Sequence, residues 1–266
     1  PVTHWVWGGG ILSSWGTMDF AGGIVVHATA GTAALVTALT LGKRRGFPKS
    51  ITPPHSPILT MIGASMLWIG WFGFNAGSAL GANGGTGMAM LVTHISAATA
   101  SLVWMFIEWK RFGKPSLIGI VTGMVAGLAT VTPASGYIGV PGGLILGFFG
   151  GLLCYLAVDF IRGKLQIDDS LDVFAVHGVG GILGTLLVAF LATSTFSGLG
   201  LAEGQTAVSQ FFVQLKAVIL TVVWTSVFTY LILKITSFIV PLRVEEQEEI
   251  EGLDLRSHGE KGYHSD

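Results

Sequence analysis

The chain has 266 residues, 51% of them hydrophobic and only 11% charged, with a mean hydropathy of +0.69. So little charge excludes a soluble domain of this size and indicates a polytopic, all-helical membrane protein. The net charge of −1 excludes a basic nucleic-acid surface, and the single cysteine, Cys154, excludes an internal disulfide; it reads as a space-filling helix residue.

The chain opens at PVTHWVWGGG with no initiator methionine and no signal peptide. It reads as the C-terminal part of a longer protein, with residues 1–12 ending an earlier helix. A span needs about 20 mostly apolar residues. Seven stretches qualify: 21–41, 57–79, 87–108, 116–133, 138–161, 173–193 and 208–239. The last is long enough to cross with a large tilt. Residues 1–242 therefore form a transmembrane domain. Residues 243–266 form a polar, acidic tail, which composition alone favours as a solvated end over a docking segment.

Loop charges set the orientation. KRRGFPK (43–49), WKRFGK (109–114) and IRGK (161–164) are basic, and the alternate loops 12–20, 80–86, 134–137 and 194–206 hold no Lys or Arg. The basic loops and the C-terminus are thus expected in the cytoplasm. Gly119, Gly123 and Gly127 repeat every four residues, as do Gly139, Gly143, Gly147 and Gly151. Both series predict faces for close helix crossing.

Two histidines lie inside membrane-length helices: His27 in DFAGGIVVHATAG and His177 in LDVFAVHGVGG. An ionisable group in lipid costs several kcal/mol unless it faces the bundle interior or a polar path. Gly23, His27 and Gly31 share one face, as do His177, Gly181 and Gly184, so both histidines should face neighbouring helices. Each follows a valine and an upstream aspartate, Asp19 or Asp172, on helices expected to run in opposite directions. That pattern suggests an inverted repeat meeting near the midplane. A buried membrane histidine often serves only as a helix-to-helix hydrogen bond. Two in contact could instead relay protons, since each neutral ring donates from one nitrogen and accepts at the other. His4, His55, His94, His258 and His264 supply no second pair for haem, and no cofactor or metal is expected.

Asp19 precedes the first of these helices and reads as an N-cap, and also as a cation stabiliser beneath the outer surface. Asp172, and similarly Asp169, precede the second helix and read as caps. Trp5, Trp7, Trp15, Trp68, Trp71, Phe72 and Phe74 cluster toward the outer side. An interfacial belt suits Trp5, Trp15 and Trp68. A cation site of ring faces is the alternative, with Ser78 adding a hydroxyl acceptor.

At these residues the sequence resembles the ammonium transporter family (Amt/Mep/Rh), on its bacterial Amt side. The resemblance rests on HWVWGGG (4–10), DFAGGIVVH (19–27), WIGWFGFNAGSA (68–79), KPSLIG (114–119), TPASGYIG (132–139), DVFAVHGVGG (172–181) and EEIEGLDLRSHGE (248–260). It spans essentially the whole chain and implies an eleven-helix fold that lacks here its first four helices. It implies an outer ammonium site at Trp7 and Ser78 supported by Asp19, a phenyl gate at Phe74, a pore lined by Trp71, and a twin-histidine pair at His27 and His177. It further implies a homotrimer, and a tail bearing Glu248, Gly252, Leu253, Asp254, His258 and Gly259 that meets neighbouring subunits and a PII-type signalling protein. The expected activity is ammonium transport, not enzymatic catalysis. A sensor signalling through the tail and a passive ammonia or carbon dioxide channel remain as alternatives.

Overall fold

The computed structural model describes residues 1–263; residues 264–266, with His264 and the end of the expected tail, lie outside the described residues. Two short helices, α1 (Val2–Trp7) and α2 (Ile11–Ser14), lead into a bundle. Its members are α3 (Gly23–Leu41), α4 (Pro57–Gly77), α5 (Gly84–Phe112), α6 (Leu117–Val131), α7 (Val140–Lys164), α8 (Phe174–Leu191) and α9 (Ala207–Ser237). All but α6 are long and apolar enough to cross a membrane; α6 is apolar but has 15 residues. The seven expected stretches are thus seven helices, with ends shifted by a few residues.

Short polar side chains start them. Ser56, Asn83, Ser116 and Thr206 each accept a backbone N–H from the first turn of α4, α5, α6 and α9, satisfying donors that lipid could not. The two glycine series do what their spacing suggests. A β-carbon on Gly123 or Gly127 would strike Trp104, Ala100 or Ser96, and one on Gly147 or Gly151 would strike Ser96, Thr99 or Ala100. Both series therefore press onto α5, from α6 on one side and α7 on the other, except Gly139, which precedes α7 and abuts Ser197. Ser96 completes the crossing by donating to the Gly127 carbonyl at 2.8 Å.

Ion pairs gather the basic loops at one end of the bundle. Arg44 meets Asp168 at 3.1 Å, Arg111 meets Asp159 at 3.0 Å, and Arg162 meets Asp172 at 3.1 Å. The loops without Lys or Arg meet at the other end, where Phe20 N–H donates to the Pro133 carbonyl and Leu199 N–H to that of Tyr137.

Helices α3 and α8 are antiparallel. Gly23 faces Thr185 while Gly31 abuts the Gly178 backbone, so one number rises as the other falls. Each begins with a π-helical stretch, Gly23–Ala28 in α3 and Phe174–Gly178 in α8. Such widened turns are rare and concentrate at functional sites. Each carries one of the two histidines.

The tail folds as α10 (Glu246–Glu251) and a π-helical turn at Asp254–His258. It is anchored to the 43–49 loop. Arg243 donates to the Lys43 carbonyl at 2.8 Å and pairs with Glu249 at 2.7 Å, while Arg45 N–H donates to Glu249 at 3.2 Å. Burial opposes but the Arg243 hydrogen bond dominates, holding the Glu249 carboxyl below its usual range.

Candidate functional site

The site is built where the two π-helical turns touch. His27 and His177 approach Nδ1 to Nδ1 at 3.1 Å, with ring centroids 5.2 Å apart. One Nδ1 must donate and the other accept, so the partners hold opposite tautomers. The donor ring then has a bare Nε2 and the acceptor ring an Nε2–H. Exchanging tautomers reverses both ends of the pair. His27 Nε2 is buried and finds no protein partner.

Aromatic rings cover the pair. Trp71 stacks 5.3 Å from His27 and 6.5 Å from His177, nearly parallel to both. Phe74 lies 6.3 Å from His27 and edge-on to Trp71 at 5.6 Å. Trp71 is held by its indole N–H, which donates to Thr132 Oγ1 at 3.0 Å. The four residues share a cavity of about 700 Å³ whose other walls include Val26, Met66, Leu67 and Val173. Apart from the two imidazoles, its lining is apolar.

Asp19 organises the start of α3. Its carboxylate accepts four backbone N–H groups: Gly22 at 2.9 Å, Gly23 at 2.6 Å, Ile24 at 2.8 Å and Val25 at 3.1 Å. Gly22, at φ 118°, supplies the left-handed turn that aims these amides at one side chain. The Asp19 carbonyl accepts the Trp7 indole N–H at 2.8 Å. Trp7 is thus oriented by Asp19 while its ring stays half exposed. Ser78 lies one turn beyond Phe74 and donates to the Phe74 carbonyl at 2.9 Å, which leaves its oxygen as an acceptor.

The structure corrects the reading of the second aspartate. Asp169, not Asp172, caps the His177 turn, accepting from Val173 at 2.9 Å, Phe174 at 2.8 Å and Ala175 at 3.2 Å. It stands eight residues before its histidine, as Asp19 stands before His27. The backbone turns at Asp172, whose φ of 55° swings its carboxylate away from those amides and onto Arg162. Burial pushes the Asp172 carboxyl up to about 6, against the pull of Arg162.

The aromatics expected toward the outer side divide. Trp5 packs edge-on against Trp224, and Trp15 lies beneath the Lys216 ammonium, 3.5 Å from the ring centroid. Trp68 stacks on His94. Within the tail, Glu248 accepts from Arg256 at 3.5 Å, and Gly252 and Gly259 take positive φ of 93° and 68°. Leu253 borders a cleft against the end of α3. Ile250 is half exposed. The hold is therefore polar, through Arg243 and Glu249, because an exposed segment beside a basic loop gains more from fixed donors than from one aliphatic side chain.

Fold and site together define a multi-pass helical membrane protein with an apolar cavity into which a bonded histidine pair faces. Residues 1–263 match the model of the Ammonium Transporter Family, and the chain belongs to that family, one of transporters and not of enzymes. It is 48% identical to the ammonium transporter Amt1 of Archaeoglobus fulgidus, over 99% of this chain and 66% of that protein. It is 42% identical to an ammonium transporter of Bacillus subtilis, over 99% and 65%. Among solved structures it resembles a "Sensor Amt Protein" with a TM-score of 0.89 and 32% identity, covering 97% of this chain and 66% of that one. It also resembles Candida albicans Mep2, with a TM-score of 0.83 and 36% identity over 93% and 57%. The chain thus spans two thirds or less of the length of each of these relatives.

Proposed function

We propose that this chain forms the part of an ammonium transporter that carries the outer recruitment site and the histidine-lined pore. The observation that carries the reading is the Nδ1-to-Nδ1 contact of His27 and His177 inside an apolar cavity. An ammonium ion cannot enter such a lumen cheaply, because an unpaired charge in an apolar medium is costly, whereas neutral ammonia enters with far less penalty. The cation binds outside, where the Trp7 ring offers a cation–π face and the Ser78 oxygen an acceptor, with Asp19 holding the site in place. It loses its proton there, and ammonia passes Phe74 and Trp71 to the histidines.

The histidine pair suits both species. Its opposite tautomers present one acceptor and one donor, which match ammonia's N–H groups and lone pair. The same pair can pass a proton by tautomer exchange, which would make transport electrogenic. The protein acts as a homotrimer in the cell membrane with a cytoplasmic C-terminus. The tail offers Glu248, Gly252, Leu253, Asp254, His258 and Gly259 to a PII-type signalling protein.

The resemblance to a sensor keeps a second reading in view. Ammonium-jump currents in proteoliposomes separate the possibilities. Wild-type protein should give a saturable inward current. His27→Asp should retain current but admit potassium, because a carboxylate gives any small cation a partner. Ammonium binding without current or uptake would favour the sensor, ammonia flux without charge would favour a passive channel, and either would overturn electrogenic transport.

A further inference from the structure

The outer site is held from a helix that takes no part in lining it. Helix α9 reaches the 15–18 loop at three successive points. Lys216 covers the Trp15 ring, Gln210 donates to the Gly16 carbonyl at 3.0 Å, and Gln214 grips Met18. Gln214 is fully buried. Its Oε1 accepts Met18 N–H at 2.9 Å, and its Nε2 donates to the Met18 carbonyl at 2.7 Å and the Thr185 carbonyl at 2.9 Å. Gln210 adds a donation to Gln214 Oε1 at 3.2 Å.

A side-chain amide that pairs with both the N–H and the C=O of one residue fixes the backbone on both sides of that residue as a neighbouring strand would. Here the fixed residue directly precedes Asp19. From Asp19, the carboxylate reaches the first turn of α3 and the carbonyl reaches Trp7. The Thr185 carbonyl ties the same amide to α8, which carries His177. The cytoplasmic half of the repeat has a parallel. Asp168, directly before the capping Asp169, is held by Arg44 through its backbone N–H at 2.8 Å and its guanidinium at 3.1 Å. Each capping aspartate thus follows a residue braced from a distant part of the chain, and on the outer side that brace is Gln214.

We infer that Gln214 is a positioning residue for ammonium recruitment: it sets the register of Met18–Asp19 and so aims the Trp7 ring and the first turn of the His27 helix. What is recruited rests on the transport reading above; the bracing itself does not. Lys216 and Gln210 support the same loop, but neither grips the residue next to Asp19 on both its N–H and its C=O.

Two measurements on the natural full-length protein test this. In detergent, hydrogen–deuterium exchange over residues 16–25 should accelerate in Gln214→Leu, which keeps the bulk and loses every hydrogen bond, while α5 stays protected as in wild type. In proteoliposomes, the half-saturating ammonium concentration should rise about 2- to 30-fold, the range expected when a cation–π contact is misaligned, with maximal uptake per inserted protein nearly unchanged. Gln214→Asn, which keeps an amide donor and acceptor on a shorter arm, should fall between wild type and leucine on both measures. It carries the test alone if the leucine variant does not reach the membrane. Unchanged exchange at 16–25 would overturn the inference, as would faster exchange with an unaltered half-saturation. A wild-type protein that moves no ammonium would refute the transport reading instead, and the exchange measurement would still decide whether Gln214 braces the loop.

Discussion

Replacing Asp19 by alanine would strip four amides of their only acceptor in one step. Two of them, Gly22 and Gly23, bond to Oδ1, and two, Ile24 and Val25, bond to Oδ2. Leaving a buried N–H unpaired costs about 1–3 kcal/mol. Relief of a buried carboxylate offsets part of this, so taking the low end for each amide gives roughly 4 kcal/mol. For a chain of this size each kcal/mol lowers Tm by about 2–4 °C, so Asp19→Ala should melt roughly 8–16 °C lower. Asn keeps one oxygen and turns an NH₂ toward the other two amides, so Asp19→Asn should recover no more than about half of that loss. Asp169→Ala orphans three amides and should fall just short of Asp19→Ala, while Asp172→Ala, which orphans none, should fall far behind. Thermal unfolding of the purified proteins in detergent, followed by tryptophan fluorescence, reads the series. If Asp19→Ala and Asp172→Ala melted together, the carboxylate would not be organising the helix start and the reasoning would fail.

Further outcomes follow from the same geometry. Trp7→Leu should keep expression and fold but weaken saturation by ammonium, by about 0.5–2 kcal/mol of lost cation–π attraction; normal half-saturation would count against Trp7 as a binding face. Gly31→Ala places a methyl group against the Gly178 backbone and should cost about 1–3 kcal/mol through overpacking, read as a lower Tm. Gly87→Ala meets nothing within 4 Å and should leave Tm unchanged or slightly higher, since alanine is the better helix former.

The spans were legible because lipid imposes a length and an apolar composition, and the shared end of the basic loops was legible because Lys and Arg collect on alternate loops. The histidine pair was legible because Gly23, Gly31, Gly181 and Gly184 leave room for two helices to meet only on the face that carries His27 and His177. What the sequence hid depends on backbone detail or on distant approach. The widened turns at 23–28 and 174–178 share the apolar pattern of an ordinary helix. Asp172 stands nearer to His177 than Asp169 does, and only the left-handed turn at Asp172 decides against it. The equal spacing of eight residues from Asp19 to His27 and from Asp169 to His177 was a signal that could have found the right pair. Gln214 and Thr132 gave none, since a glutamine or threonine in an apolar helix does not declare which peptide or indole it will meet.

The tail sets a different problem, because its contacts are exposed and each is individually weak. What distinguishes them is convergence. Arg243 lies against the C-terminal end of α3, donating to the Lys43 carbonyl, where a cation complements the helix dipole. The same guanidinium grips Glu249 with two nitrogens at 2.7 and 3.2 Å, and Glu249 in turn accepts Arg45 N–H. Glu249 therefore ties α10 both to Arg243 and to the loop backbone, beside the direct bond from Arg243 to the Lys43 carbonyl. Because Arg243 depresses its pKa, the carboxylate's contribution is complete above the ordinary carboxylate value and is lost only as pH falls through the lowered one. Docking should thus persist unchanged from neutral pH down to about pH 5. Glu249→Gln should undock the tail at every pH, since an amide keeps one acceptor but loses the ion pair. Limited proteolysis of residues 243–263 in membranes, compared across that pH range, gives the measurement. A glutamine variant as protected as wild type would show that Glu249 is a bystander. Cleavage of the wild-type tail that rose steadily between pH 7 and about pH 5 would show that some other group, titrating nearer neutrality, holds it.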